Sequence, residues 1–145
     1  MRRSVRLPSV AAMTAQTEVA KPLRQPVATA AIILCGAIML GFGVWAYAAP
    51  ESFASFIDYQ PYNRHLVHDA GAFQIAIGCT TLLALVWTDA VLLALTGFVI
   101  GSGLHMVSHY LDRHIGGHDS DVPLLGLFTI IGLCGIAARL RGRKS

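Results

Sequence analysis

Residues 70–107 form a predominantly apolar run of 38 residues whose one sharp polar interruption is Thr88-Asp89. As a single helix that run would be roughly 57 Å long. A bilayer's hydrocarbon core is about 30 Å thick. The chain must therefore reverse at Thr88-Asp89, which makes the run two spans, 70–87 and 90–110. Asp89 is a candidate N-cap for the second of these, and Trp87 marks a membrane interface.

Two more runs have the same character. Residues 27–49 make a 23-residue apolar stretch that ends at Trp45, Tyr47 and Pro50, an interfacial aromatic pair followed by a helix stop. Ala46-Tyr47-Ala48 also reads as a signal-peptide cleavage site, but the preceding tail and the apolar run are both longer than a signal peptide's. Residues 122–138 make the last span, with Pro123 in its first turn, where proline is tolerated. A chain of 145 residues that is 54% hydrophobic and only 13% charged has about half the charge of an average water-soluble domain. The expected fold is an all-α membrane protein, with four transmembrane helices in an up-down bundle. The membrane domain covers 27–140, preceded by a disordered basic tail over 1–26 and followed by a basic end at 141–145. Met13 is an alternative start to Met1.

Charge sets the orientation. Of 11 Lys and Arg, five lie in the tail (Arg2, Arg3, Arg6, Lys21, Arg24) and four at the end (Arg139, Arg141, Arg143, Lys144). The polar loops 51–69 and 111–121 hold only Arg64 and Arg113, against six acids. The positive-inside rule places both termini in the cytoplasm and both loops outside, in a bacterial inner membrane. Basic residues confined to the flanks of apolar runs are no nucleic-acid footprint. Phe53, Phe56 and Ile57 predict a short surface helix over 52–57, and Asn63 is the candidate N-cap of the second span.

Small residues mark helix contacts in lipid. The expected packing stripes are Ala37 and Gly41 in the first span and Ala72, Ala76 and Thr80 in the second. Gly97 and Gly101, continued by His105 and His109, give the third, and Gly126, Thr129, Gly132 and Gly135 the fourth. Gln74 is read as a helix–helix hydrogen bond. Cys35, Cys79 and Cys134 are odd in number and have no C-x-x-C spacing, so they are read as buried hydrophobes.

All six histidines fall in or beside the outer loops. His105 and His109, one helical turn apart, project from one face, the spacing that puts two imidazoles on one ion. His65, His68 and Asp69 open the second span at a similar depth, and His114, His118, Asp119 and Asp121 lie in the loop above. This set suits Zn or Cu, and two histidines on neighbouring helices suit a bis-histidine haem. The competing reading is a polar clamp fixing the bundle's outer end; a third is pH sensing, since free imidazole titrates near pH 6.5. No G-x-S-x-G or Walker sequence supports hydrolase or nucleotide chemistry.

Ala49-Pro50 with Phe53 and Phe56, then Pro61-Tyr62-Asn63-x-His65-Leu66-Val67-x-Asp69-x-Gly71-Ala72 and a histidine-bearing third span, resembles a group of small bacterial four-helix integral membrane proteins of unknown function. The resemblance covers roughly residues 30–140, and the layout is similar to DoxX-like proteins. It implies a role beside a membrane oxidoreductase or in quinone-linked chemistry, and carries over no functional residue. The expected function is a non-enzymatic or accessory membrane subunit, in contact with the bilayer and with a membrane complex or a second copy of itself. The alternative is a metal- or haem-binding component of a membrane redox system.

Overall fold

The computed structural model describes residues 25–114 and 118–142. The tail up to residue 24, residues 115–117 and residues 143–145 lie outside the described residues. The described chain is all-helical: α1 Pro26–Ala48, α2 Pro50–Phe56, α3 Arg64–Leu83, α4 Val91–Leu111 and α5 Asp121–Gly142. Four of these, α1, α3, α4 and α5, are long and apolar enough to cross a membrane.

Local chemistry explains the boundaries. Pro26 and Pro50 sit in the first turns of α1 and α2, where no N–H is missed. Asn63 caps α3 as expected, its side-chain oxygen accepting from Leu66 N–H at 3.2 Å. With that cap, α3 starts at Arg64, ahead of the apolar run, and His65, His68 and Asp69 are helical. The reversal at Thr88-Asp89 is present, but Asp89 does not cap α4; the N-cap is Ala90, with no side-chain hydrogen bond.

The helices pack as an up-down bundle. α1 lies along α3 on one side and α5 on the other, and α4 lies along α5. The fourth side stays thin, since α3 and α4 barely touch despite their tight connection. One apolar cluster, Ala31, Ile32, Ala84, Val91 and Leu95, holds the end of the bundle that carries the α3–α4 turn. There Arg139 donates to the Thr88 carbonyl at 2.6 Å, and Gln25 lies against Gly142. The two ends of the described chain are therefore at the same end of the bundle. A second cluster, Ala46, Phe53, Ala54 and Val67, seats α2 across α1 and α3 at the opposite end. Phe53 meets Trp45 edge-on, with ring centroids 5.6 Å apart.

The α1–α3 seam is built of glycine. A Cβ on Gly43 would stand 2.6 Å from Ile75 N, one on Gly78 2.6 Å from Leu40 N, and one on Gly71 2.8 Å from Tyr47 N. A Cβ on Gly36 would come within 3.2 Å of Gly78 O. Backbone thus rests on backbone along Gly36 and Gly43 against Gly71 and Gly78. This corrects the expected stripes. Gly41 has open space around it, and Ala37, Ala72, Ala76 and Thr80 are exposed. The packed glycines lie one or two residues from the expected positions, and each residue rotates the helix face by 100°. On α4, Gly97 and Gly101 likewise face open space. A stripe at every fourth residue drifts about 40° per step, so His109 reaches the α5 seam while the two glycines point away from it.

On α5 the expected small face is the packed one. A Cβ on Gly132 would meet Val99 and Phe98, and one on Gly135 would meet Ala31 and Leu95. Thr129 Oγ1 lies 3.0 Å from Ser102 Oγ. Gln74 does not make its expected interhelical bond: its Oε1 is buried without a partner among the described residues. Only Cys35 is buried, and Cys79 and Cys134 are exposed.

The seam makes a direct prediction. Gly43→Ala and Gly78→Ala push a methyl into backbone atoms that have no rotamer to relax, and each should cost about 3 kcal/mol. Gly41→Ala, in open space, should leave stability unchanged or raise it. Reversible unfolding in mixed micelles, followed by circular dichroism, reads both.

Candidate functional site

The histidine-bearing ends of α3 and α4, and the start of α5 with His118 just before it, lie at the end of the bundle opposite the Thr88 turn. The five expected site residues fall into two groups there. On α3, His65 Nε2 lies 3.4 Å from Asp69 Oδ2, a pair within one helical turn, with the His65 side chain 88% exposed. His68 faces α1 instead, and its ring centroid is 5.3 Å from that of Tyr47. On α4, His105 and His109 have ring centroids 4.7 Å apart, as their spacing requires.

His109 also reaches across to α5, placing Nδ1 3.3 Å from Asp121 Oδ2. Asp121 is the hub of this corner. Its Oδ2 accepts from the His118 backbone N–H at 2.8 Å, and its Oδ1 stands 4.0 Å from His118 Nδ1. Asp121 opens α5, where a carboxylate also favours the positive end of the helix dipole. Nearby, Ser108 Oγ is 3.5 Å from Asp112 Oδ2.

The structure thus brings His105, His109, His118 and Asp121 into one chain of contacts at the α4–α5 corner. His65, His68 and Asp69 stand on α3, which hardly touches α4. Among the described residues, no three His, Cys, Asp or Glu side chains group closely enough to hold a metal ion. Asp121 and His118 matter more than their place in a loop suggests, because Asp121 is the residue that bridges α4 and α5. Tyr47 is a partner of His68 that no local spacing reveals; the hairpin register, which sets Gly71 against Tyr47, is the signal that finds it. Arg113 and Tyr110 also belong to this corner without a motif to mark them. Arg113 donates to the Tyr110 carbonyl at 2.8 Å and lies 4.8 Å from the centre of the Tyr110 ring.

Comparisons with protein families, with curated proteins and with solved structures return no match to this chain.

What the corner does follows from its geometry. His109–Asp121 and the Asp121–His118 backbone bond join α4, the loop and the start of α5, while the His65–Asp69 pair joins nothing beyond its own helix. Asp121→Asn or His109→Ala should therefore loosen the C-terminal end of α4 and the N-terminal end of α5, by about 1 kcal/mol for the interhelical contact. Amide exchange over 106–111 and 121–125 should quicken by about fivefold, whereas His65→Ala should leave exchange across the bundle unchanged.

Proposed function

We propose that this chain is a non-enzymatic, accessory subunit of the bacterial cytoplasmic membrane, with both termini inside and its histidine rim outside. The carrying observation is how the rim side chains are engaged: Tyr47–His68 links α1 to α3, and His109–Asp121 links α4 to α5. These residues hold the bundle's outer end in shape. The orientation is supported by charge, because nine of the 11 basic residues come before α1 or from Arg139 onward, and the positive-inside rule puts such residues in the cytoplasm.

The accessory role is supported by the outward face of α4. A Cβ placed on Gly97 or Gly101 would meet nothing within 4 Å, and Leu93, Ile100 and Leu104 stand exposed beside them. Close approach of backbones drives helix association in lipid, so this face suits a neighbouring span from a second copy or another membrane subunit. The DoxX-like layout points the same way, toward a place beside a membrane oxidoreductase.

Two measurements test the reading. In a background where the native cysteines are replaced by serine, Ser52→Cys and Ser120→Cys should both react with an impermeant maleimide in intact cells. Labelling of only one of them removes the proposed topology. In mild detergent and in nanodiscs the protein should migrate as an assembly larger than its 15.5 kDa chain. Gly97→Leu with Gly101→Leu should dissociate it, while Gly41→Leu on α1 should not. A protein that is recovered from its native membrane in mild detergent as a monomer, with no other membrane subunit bound, overturns the accessory role.

A further inference from the structure

Where α4 ends and α5 begins, the chain forms a partly open pocket of about 210 Å³ lined by His109, Tyr110, Arg113, His118, Asp119 and Val122. Its volume is below the range of pockets that take drug-sized ligands, which leaves room for a small polar group. It sits at the mouth of two spans, with Tyr110 exposed beside it, at the level where lipid headgroups lie.

The charges in the pocket are not balanced among themselves. Asp121, just behind it, is engaged by the His118 N–H and by His109. Arg113 uses one N–H on the Tyr110 carbonyl. Among the described residues no carboxylate pairs with that guanidinium, and no cation pairs with Asp119. Among the described residues the pocket therefore presents a guanidinium held only by Tyr110, through its carbonyl and its ring face, and a carboxylate with no cation, with two imidazoles in the lining and Val122 as an apolar wall.

The geometry points to a binding site for a zwitterionic phospholipid headgroup of the phosphoethanolamine type, its phosphate on Arg113 and its primary ammonium on Asp119. The acyl chains then run down past Val122 and Tyr110 along the bundle. The imidazoles of His109 and His118 are within the same pocket to share the phosphate, and the remaining guanidinium N–H groups of Arg113 supply charge-assisted bonds. Two related headgroups fit less well. Phosphocholine carries no N–H to give to Asp119, and phosphoglycerol carries no cation at all. The site does not depend on which side of the membrane the rim faces.

Native mass spectrometry of the full chain, delipidated in mild detergent and offered equal amounts of three lipids with identical acyl chains, tests this. Phosphatidylethanolamine should be retained about tenfold over phosphatidylcholine and phosphatidylglycerol, the effect of one hydrogen bond to a charged group. Asp119→Asn should erase the preference over phosphatidylcholine. Arg113→Gln should lower retention of phosphatidylethanolamine and phosphatidylglycerol together, and Arg113→Lys should restore most of it. Asp69→Asn, on α3, should change nothing. Soluble phosphoethanolamine separates the sources: failure to displace the bound lipid assigns the site to the membrane, and displacement at micromolar concentration assigns the same chemistry to a free small molecule. Equal retention of the three lipids overturns the proposal. So does a preference for phosphatidylglycerol, or a phosphatidylethanolamine preference that survives both Asp119→Asn and Arg113→Gln.

Discussion

The bare-backbone contact between α1 and α3 organises the rest of the bundle. In lipid, two apolar helices gain no hydrophobic free energy by meeting, so what holds them is the closeness of their atoms. Gly36 and Gly43 against Gly71 and Gly78 remove the side chains that would keep the axes apart. The resulting register is rigid, because neither backbone can give. It also positions function-bearing groups: with Gly71 against Tyr47, His68 one turn earlier comes beside the Tyr47 ring. α2 then closes the same end by burying Phe53 and Ala54 against α1 and α3.

The α4–α5 pair is assembled by different means. Here the close-packed glycines, Gly132 and Gly135, are on α5, and Phe98, Val99 and Leu95 of α4 fill the room they leave. Polar ties at two heights fix the pairing: Ser102 to Thr129 within the span and His109 to Asp121 at the rim. The two pairs are joined through α1 and α5 and through the apolar cluster around Ala84 and Val91. A tight turn fixes only one end of α3 and α4. With little packing between them, the histidines at their far ends belong to separate pairs rather than to one ring of ligands.

The number of spans, the reversal at Thr88-Asp89 and the cap at Asn63 were legible in the sequence, because each follows from a length or from a single local hydrogen bond. Which face of each helix is buried was not. Glycines and alanines recur at spacings of three, four and seven in the same spans, and a register one residue off turns the helix by 100°. Gly36 and Gly43 were as available to inspection as Ala37 and Gly41; only the partner helix distinguishes them. The candidate site shows the same limit. His105 with His109 and His65 with Asp69 are pairs within one helix, and their spacing reveals them. Joining the two groups needs the distance between α3 and α4, which no local pattern encodes. Asp121 has the reverse character: it looks like one of several loop acids until the α4–α5 seam brings His109 to it.

The two glycines on the outer face of α4 are unexplained by the chain's own packing. Glycine in a helix interior costs roughly 0.5–1 kcal/mol relative to alanine. At Gly36, Gly43, Gly71, Gly78, Gly132 and Gly135 that cost is offset by close contacts that a Cβ would block, whereas on α1 Gly41 stands in open space. On α4, Gly97 and Gly101 make no such contact, and the rotation of the helix is already set by Ser102, Phe98 and His109 on the opposite side. Alanine at both positions would serve this fold as well or better. Two adjacent-turn glycines kept bare, beside the exposed Leu93, Ile100 and Leu104, are the features on which the proposed contact with a neighbouring span rests. In the proposed accessory role a neighbouring helix would supply that contact, and the tied corner of α4 and α5 would hold the face in the orientation to meet it.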